Sequence, residues 1–172
     1  ATVVQAPAGN IALARNLGAA QATGQVLIFA DADVILGNQF VERAVDRLET
    51  GAALVHPREA IYDSEFWNLA LWLPQVVRPR MNTTRCVALW REAFYGAGQY
   101  DVTCDPISSY CREDLDFGRR VAAVYGKGSI QVLGALICTS SRRYKKYGSH
   151  GWENFADPVR SHILARVTTP RQ

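Results

Sequence analysis

Two aspartates follow a short apolar run and are separated by a single residue. The run extends from Val26 to Ala30, and Asp31 and Asp33 come directly after it. Because the run is rich in β-branched and aromatic residues, it predicts a buried strand, and ligands of open α/β sheets bind beyond the carboxyl ends of strands. A hard divalent cation such as Mg²⁺ or Mn²⁺ relieves the repulsion between two neighbouring carboxylates. The pattern favours a metal or phosphate site over an aspartate-rich turn that caps the next helix.

A second acidic cluster occupies residues 113–116, Glu-Asp-Leu-Asp. These acids would lie in the first turn of a helix, where the helix dipole favours negative charge, and that is the simplest explanation of the cluster. Arg119 and Arg120 follow at spacings that allow ion pairs with the acids. A carboxylate in this turn could instead act as a general base if it faces a cleft.

A basic, glycine-punctuated segment follows at residues 140–151 and contains Arg142, Arg143 and His150. One interpretation is a solvated surface loop. The other is a flexible clamp for a diphosphate, because arginine offers bidentate contacts to phosphate oxygens. His150 is either a metal ligand or a polar residue of the loop.

Composition indicates one globular domain. The 172 residues are 48% hydrophobic and 20% charged, and the net charge of +3 suits an anionic ligand without predicting nucleic-acid binding. No apolar run is long enough to span a bilayer, so we expect no transmembrane segment and a cytoplasmic protein, in solution or at a membrane surface. The cysteines include no Cys-x-x-Cys pair, which argues against structural zinc and a disulfide framework and favours a reducing compartment.

The apolar periodicity predicts alternating helices and strands, which implies parallel strand pairing with helical crossovers. Helices are predicted from Asn10 to about Thr23, from Asn38 to Gly51, from Asp63 or Ser64 onward, at 113–125 and at 152–167. Strands are predicted at 2–4, 26–30, 52–56, 84–90, 129–133 and 135–139. The helix after Asp63 is apolar on most faces, which indicates packing in the core or contact with a membrane surface through Trp67 and Trp72.

Four motifs occur in a recognisable order. Residues 10–18 read Asn-Ile-Ala-Leu-Ala-Arg-Asn-Leu-Gly and precede Gly24 and the two aspartates. Residues 94–101 read Phe-Tyr-Gly-Ala-Gly-Gln-Tyr-Asp, residues 113–120 begin with Glu-Asp, and residues 139–148 begin with Thr-Ser-Ser-Arg-Arg. In this order they resemble the core, the aromatic–glycine–aromatic–aspartate turn, the Glu-Asp motif and the basic closing loop of family 2 glycosyltransferases of the GT-A fold.

This resemblance implies a single GT-A catalytic domain over residues 1–172, an α/β, Rossmann-like fold whose mixed, mostly parallel sheet is flanked by helices. It implies an inverting, metal-dependent, hexosyltransferase-like enzyme. The donor would be a nucleotide-diphosphate sugar, and the acceptor a hydroxyl of a glycan, a lipid or a small molecule. Members of the family usually begin with a strand and loop that hold the nucleotide base, so we expect the chain to be N-terminally incomplete.

The resemblance also implies roles for the acids. In the Asp-x-Asp (DXD) motif, Asp33 would hold Mn²⁺ or Mg²⁺, and Asp31 would contact the ribose side or a water of the metal. Asp114 would be the catalytic base that takes the proton of the acceptor hydroxyl.

The basic residues and the histidine receive roles from the same resemblance. Arg15 would lie near the nucleotide, because its helix packs beside the end of the Asp31 strand. Arg142 and Arg143 would neutralise the diphosphate, and His150 would be a metal ligand.

Two other functions remain open at this point. Residues 28–35 resemble the first motif of haloacid-dehalogenase-type phosphatases, with Asp31 as nucleophile and Asp33 as acid. The downstream lysine and Gly-Asp metal motif of those enzymes are not found in the needed order. The second alternative is a truncated transferase module without catalytic activity that binds a partner.

Overall fold

The computed structural model describes residues 2–70, 85–104 and 113–142. The chain forms two compact units, Ala1–Ser140 and Ser141–Gln172. All of the strands described lie in the first unit. The predicted helix at 152–167, Trp72 and most of the predicted basic loop lie outside the described residues, and the single domain over 1–172 stays a prediction.

Five α-helices are described in the first unit, together with a short 3₁₀ helix at Lys127–Ser129. They are α1 (Ile11–Gln21), α2 (Phe40–Glu49), α3 (residues 65–70), α4 (Arg91–Gly96) and α5 (Glu113–Tyr125). α1 begins as predicted, because Oδ1 of Asn10 accepts a hydrogen bond from the Leu13 amide at 2.8 Å and so caps the first turn. α2 begins differently: its N-cap is Gln39, in the left-handed conformation with φ of 66°, and not the predicted Asn38.

The strands form one mixed sheet of five strands in the order β1-β4-β3-β5-β2. They are β1 (Val26–Ala30), β2 (Val34–Leu36), β3 (Leu54–Ile61), β4 (Cys86–Trp90) and β5 (Ile130–Thr139). β3 and β5 pair in parallel, whereas β1–β4, β4–β3 and β5–β2 pair antiparallel. The predicted α/β class with a mixed sheet is confirmed, but only one of the four strand pairs described is parallel, so the pairing is not mostly parallel as predicted.

The neighbours of β1 differ from the prediction. The alternation of helices and strands predicted that β1 and β3 pair directly, but β4 lies between them and is antiparallel to both. That expectation is wrong because a strand supplied from later in the chain takes the position, and periodicity does not report which strands are adjacent. The predicted strand at 2–4 is also absent, and β5 runs through Gly134 as one strand where two were predicted.

Helices cover both faces of the sheet. Neighbouring strand residues point to opposite faces, as Leu54 and Val55 do in β3. One face packs against α1, α4 and α5 through Ala12, Ala19, Phe94, Phe117 and Val121. The other face packs against α2 through Phe40, Ala44 and Leu48, which recur at the predicted helical spacing.

Helix α3 begins where the sequence predicts, because Oγ of Ser64 accepts a hydrogen bond from the Trp67 amide at 3.4 Å. Its apolar residues Phe66 and Leu69 are 59% and 69% exposed, so the prediction of a helix packed in the core is wrong for them. None of the described helices combines the length and apolar character that crossing a bilayer requires.

The cysteines also differ from the prediction. Cys86 and Cys138 are free thiols, whereas Cys104 is disulfide-bonded. The expectation of a chain without disulfides is therefore wrong, and the cysteines no longer argue for a reducing compartment. The residues flanking Cys104 showed no spacing signal that predicted this bond.

Candidate functional site

Asp31 and Asp33 lie in the short turn between β1 and β2, at the carboxyl end of β1 as predicted. The Asp31 amide donates a hydrogen bond to the Arg85 carbonyl oxygen at 2.9 Å, and the Val34 amide donates to the Asp31 carbonyl oxygen at 3.4 Å. The backbone of the turn is therefore held on both sides of the acidic pair. The Asp31 side chain is 25% exposed, and Asp33 is exposed.

Arg15 of α1 joins this turn to the second acidic cluster. Its Nη2 lies 3.1 Å from Oδ1 of Asp31, and its Nη1 lies 3.4 Å from Oε1 of Glu113 at the start of α5. The three side chains are only 15% to 25% exposed, so the ion pairs are shielded from bulk water. One guanidinium therefore brings the two acidic motifs into one site, as the predicted position of Arg15 beside the Asp31 strand end requires.

Tyr100 is a site residue for which the sequence analysis assigned no role. The Arg15 guanidinium carbon lies 5.1 Å from the centroid of its ring, a cation–π distance. Burial raises the pKa of the Tyr100 phenol; the Arg15 charge opposes the rise, and the Asp114 and Glu113 carboxylates add to it. The phenol therefore stays protonated at neutral pH and is surrounded by the charged groups of both acidic motifs.

The position of Tyr100 is set by α1 and by an aromatic cluster. The Asn16 side chain accepts a hydrogen bond from the Tyr100 amide at 3.1 Å and donates one to its carbonyl oxygen at 2.8 Å. The Tyr100 ring packs against Phe29, Phe94 and Phe117 with centroid distances of 4.6 to 5.8 Å. The glycines before Tyr100 were the available signal, since Gly98 takes φ of 83° in the turn that delivers the ring.

Asp114 lies in the first turn of α5 and is 6% exposed. Its Oδ1 accepts a hydrogen bond from the Leu115 amide at 2.8 Å. Asp116, two residues later, pairs instead with Arg120, whose Nε lies 2.8 Å from Asp116 Oδ2. The predicted pairing of this arginine with the acidic cluster is therefore found, and it involves Asp116.

A buried charged group centred on Arg85 lies beside the acidic turn, and no sequence pattern predicted it. Nε of Arg85 lies 3.3 Å from Oε2 of Glu59, and its Nη1 donates a hydrogen bond to Thr139 Oγ1 at 2.9 Å. Burial, together with the Asp31 and Glu59 carboxylates, raises the pKa of the neighbouring Cys86 thiol to about 12. Cys86 is therefore a neutral thiol between the acidic turn and the buried pair.

A cluster of two aspartates and a cysteine elsewhere in the described residues is not a candidate metal site. The ligand atoms of Asp101, Cys104 and Asp116 lie within 4.8 Å of one another. The Cys104 sulfur is disulfide-bonded and so is not a thiolate ligand. Hydrogen bonds from Thr103 lower the pKa of the Asp101 carboxyl, so they stabilise its charged form without a cation.

The donor atoms of the acidic turn fit a hard divalent cation, because carboxylate oxygens are the ligands that Mg²⁺ and Mn²⁺ prefer. Oδ1 of Asp31 is engaged by Arg15, whereas Asp33 is exposed at the tip of the turn. The assignment of Asp33 as the direct metal ligand stays a prediction.

The structure does not test the predicted basic clamp. Arg143 and His150 lie outside the described residues, and Arg142 belongs to the second unit. Their assignments to the diphosphate and to the metal stay predictions.

The sequence profile of the family described as Glycosyl transferase family 2 matches residues 1–118 of the chain. The matched region contains the acidic turn, Arg15, Tyr100 and the start of α5. None of the curated protein sequences compared with the chain matches it.

Two structures of glucosyl-3-phosphoglycerate synthase from Mycobacterium tuberculosis are similar to the chain, each at 21% sequence identity over 99% of it. The TM-score is 0.52 for its complex with Mn²⁺, UDP-glucose and phosphoglyceric acid, and 0.53 for a complex with phosphoglyceric acid. The chain covers 58% and 59% of the length of the synthase chain in these two structures. This likeness confirms the predicted GT-A fold.

Proposed function

Because this chain belongs to glycosyl transferase family 2, we propose that it transfers a sugar from a nucleoside-diphosphate sugar to an acceptor hydroxyl, with inversion. The observation that carries the proposal is the paired guanidinium of Arg15, 3.1 Å from Asp31 and 3.4 Å from Glu113. This contact joins a turn suited to a metal and a diphosphate to a helix start suited to a general base. The family match favours this function over the phosphatase alternative.

Asp33 is the proposed ligand of the divalent cation, and Asp31 supports it from its pair with Arg15. A cation bound there would neutralise the negative charge that develops on the diphosphate as it leaves. The structural relative holds Mn²⁺ together with UDP-glucose, which supports Mn²⁺ and a uridine-diphosphate sugar as the first ligands to test. Arg15 fixes the direction of the Asp31 carboxylate, so that the turn is preorganised for the donor.

Asp114 is the proposed catalytic base. In the transfer, the acceptor oxygen forms a bond to the anomeric carbon while the bond from that carbon to the diphosphate oxygen breaks. The electron pair leaves with the diphosphate, and the acceptor proton passes to a carboxylate oxygen of Asp114. Attack on the face opposite the leaving group inverts the anomeric configuration.

Glu113, the neighbouring acid, is less suited to take that proton. Its Oε1 lies 3.4 Å from Nη1 of Arg15, so this carboxylate oxygen is already engaged by the guanidinium and is less available to an acceptor hydroxyl. Its proposed role is to hold Arg15 in place. Tyr100 keeps its phenol proton and packs beside Arg15, which makes it a positioning residue for the same guanidinium.

A thermal-shift panel tests the proposal. The purified chain is titrated with UDP-, GDP- and CDP-sugars with and without Mn²⁺, and we expect one donor at ~100 times its Kd to add roughly 2.7 kcal/mol to the free energy of unfolding, only with the metal. In Asp33→Asn this metal-dependent stabilisation should disappear while the unliganded melting temperature stays close to that of the wild type.

The matched control is Asp46→Asn, which changes an exposed aspartate of α2. It should retain the full effect of donor and metal. A wild-type chain that no donor stabilises in the presence of Mn²⁺ would argue against the transferase function and for a non-catalytic module.

A further inference from the structure

The sheet consists of two sections that meet beneath the acidic turn. β3 and β5 pair in two stretches, and their register shifts between His56 and Arg58. β4 pairs with β3 only before this shift, at Leu54 and Val55. β2 pairs with β5 only after it, with Val34 opposite Thr139. The chain passes from β1 in the first section to β2 in the second through residues 31–33, so the shape of this turn depends on how the sections are held together.

Arg85 connects the same two sections. Its carbonyl oxygen accepts the hydrogen bond of the Asp31 amide at 2.9 Å, at the end of β1. Its side chain extends into the second section, where Nε meets Oε2 of Glu59 at 3.3 Å and Nη1 donates to Thr139 Oγ1 at 2.9 Å. Because Thr139 pairs with Val34, Arg85 reaches both ends of the acidic turn, one through its backbone and one through its side chain.

The burial of this group calls for an explanation other than stability. The Arg85 and Glu59 side chains are 7% and 9% exposed, and Thr139 is fully buried. Removing two charges from water is unfavourable, and well-packed apolar residues in place of a buried ion pair are often as stabilising or more so. What a buried charged network does provide is a fixed geometry, because its members are satisfied in only one arrangement.

We propose that Arg85 is a positioning residue that orients the Asp31–Asp33 turn for a divalent cation and a diphosphate. The inference rests on the proposed function, since it assigns to Arg85 the geometry that the metal-binding acids need. Arg85 acts by holding the turn in shape and not by contacting the substrate. Residues that orient metal ligands from behind typically change metal affinity by 10- to 100-fold when they are altered, and we expect an effect of that size.

Thr139→Val is the first variant for the test. It removes only the hydroxyl that accepts from Nη1 of Arg85 and keeps the Arg85–Glu59 pair, so we expect the variant to keep the native fold. Arg85→Met with Glu59→Met is the second variant, because replacing both members leaves no unpaired buried charge. Thr50→Val is the matched control, since the Thr50 hydroxyl bonds the Arg47 carbonyl at the end of α2.

The readouts are the Mn²⁺ dissociation constant, measured by the loss of the free-ion electron paramagnetic resonance signal, and the melting temperature without metal. We expect a Kd at least about 10-fold higher in both site variants and an unchanged Kd in Thr50→Val. A purely structural role would lower the melting temperature and leave the Kd of the folded protein as in the wild type.

Three results would overturn the inference. Folded variants with the wild-type Kd would show that Arg85 does not orient the turn, although the proposed function would stand. Loss of the native fold in both variants would make Arg85 a folding residue. A wild-type chain without Mn²⁺ binding would remove the proposed metal site, and the inference with it.

Discussion

Arg15 and Glu113 are 98 positions apart in the chain, yet Nη1 of the arginine lies 3.4 Å from Oε1 of the glutamate. The same guanidinium contacts Asp31, so the carboxylates at the end of β1 and at the start of α5 share one cation. Without it, two partly buried carboxylates would lose the positive charge that they share. The stability of the site therefore depends on the positive charge that Asp31 and Glu113 share.

Arg15→Met should lower the free energy of unfolding by about 1–3 kcal/mol, because Asp31 and Glu113 lose their shared partner in a site only partly open to water. Met keeps much of the apolar contact with the Tyr100 ring, so the loss reports mainly on charge. Urea unfolding at low salt measures it. Arg43→Met is the control, since Arg43 bonds an exposed Gln39 side chain, and an equal loss in both variants would contradict the coupling.

Asp114→Asn should slow sugar transfer ~10²–10⁴-fold while donor and Mn²⁺ still bind, because the amide cannot take the acceptor proton. Asn keeps an oxygen that can accept the hydrogen bond of the Leu115 amide, so this contact in the first turn of α5 should remain. Single-turnover kinetics together with donor titration separate the two effects. Asp116→Asn should retain its turnover, since that acid pairs with Arg120.

The same experiment tests whether the neighbouring acid, Glu113, is the catalytic base instead of Asp114. Near-normal turnover in Asp114→Asn together with an inactive but folded Glu113→Gln would move the role of base to Glu113. Glu113→Gln is expected instead to lower stability, because it weakens the pair with Arg15.

Because of Cys86, the free energy of unfolding should fall as the pH becomes alkaline. Its pKa is raised from 9.0 to about 12 in the folded state, so its contribution is present below pH 9 and is lost as the unfolded chain ionises between pH 9 and 12. At pH 10 the loss relative to pH 8 should be roughly 1 kcal/mol. Urea midpoints at both pH values, compared with Cys86→Ala, isolate this group, and equal pH dependence in the two proteins would refute the prediction.

Asn10→Ala should lower the free energy of unfolding by ~1 kcal/mol, because it removes the cap of α1, the helix that carries Arg15. The side-chain amide of Asn10 also donates a hydrogen bond to the Val102 carbonyl oxygen at 3.0 Å. Asn10→Asp keeps the cap acceptor and loses only this donor, so it should be the less destabilised variant. Thermal unfolding of both proteins measures the difference, and the reverse order would show that the contact with Val102 matters more than the cap.

Much of the site was predictable from the residues themselves. Local patterns determined where β1 and α5 lie and that Asn10 caps α1, because caps and apolar periodicity act within a few residues. The order of the acidic and glycine-containing motifs likewise indicated the family that residues 1–118 match. The assignments of Asp33 as metal ligand and Asp114 as base stay predictions.

The tertiary structure decided what depends on contacts between distant parts of the chain. Only the folded sheet inserts β4 between β1 and β3, since pairing partners leave no mark in the periodicity of either strand. Arg85 was unremarkable in the sequence because Glu59 and Thr139 approach it from two other strands. Arg15, a charged side chain that contacts both acidic motifs, likewise acquires its partners only when α1, β1 and α5 pack together, because ion pairs depend on distance in space.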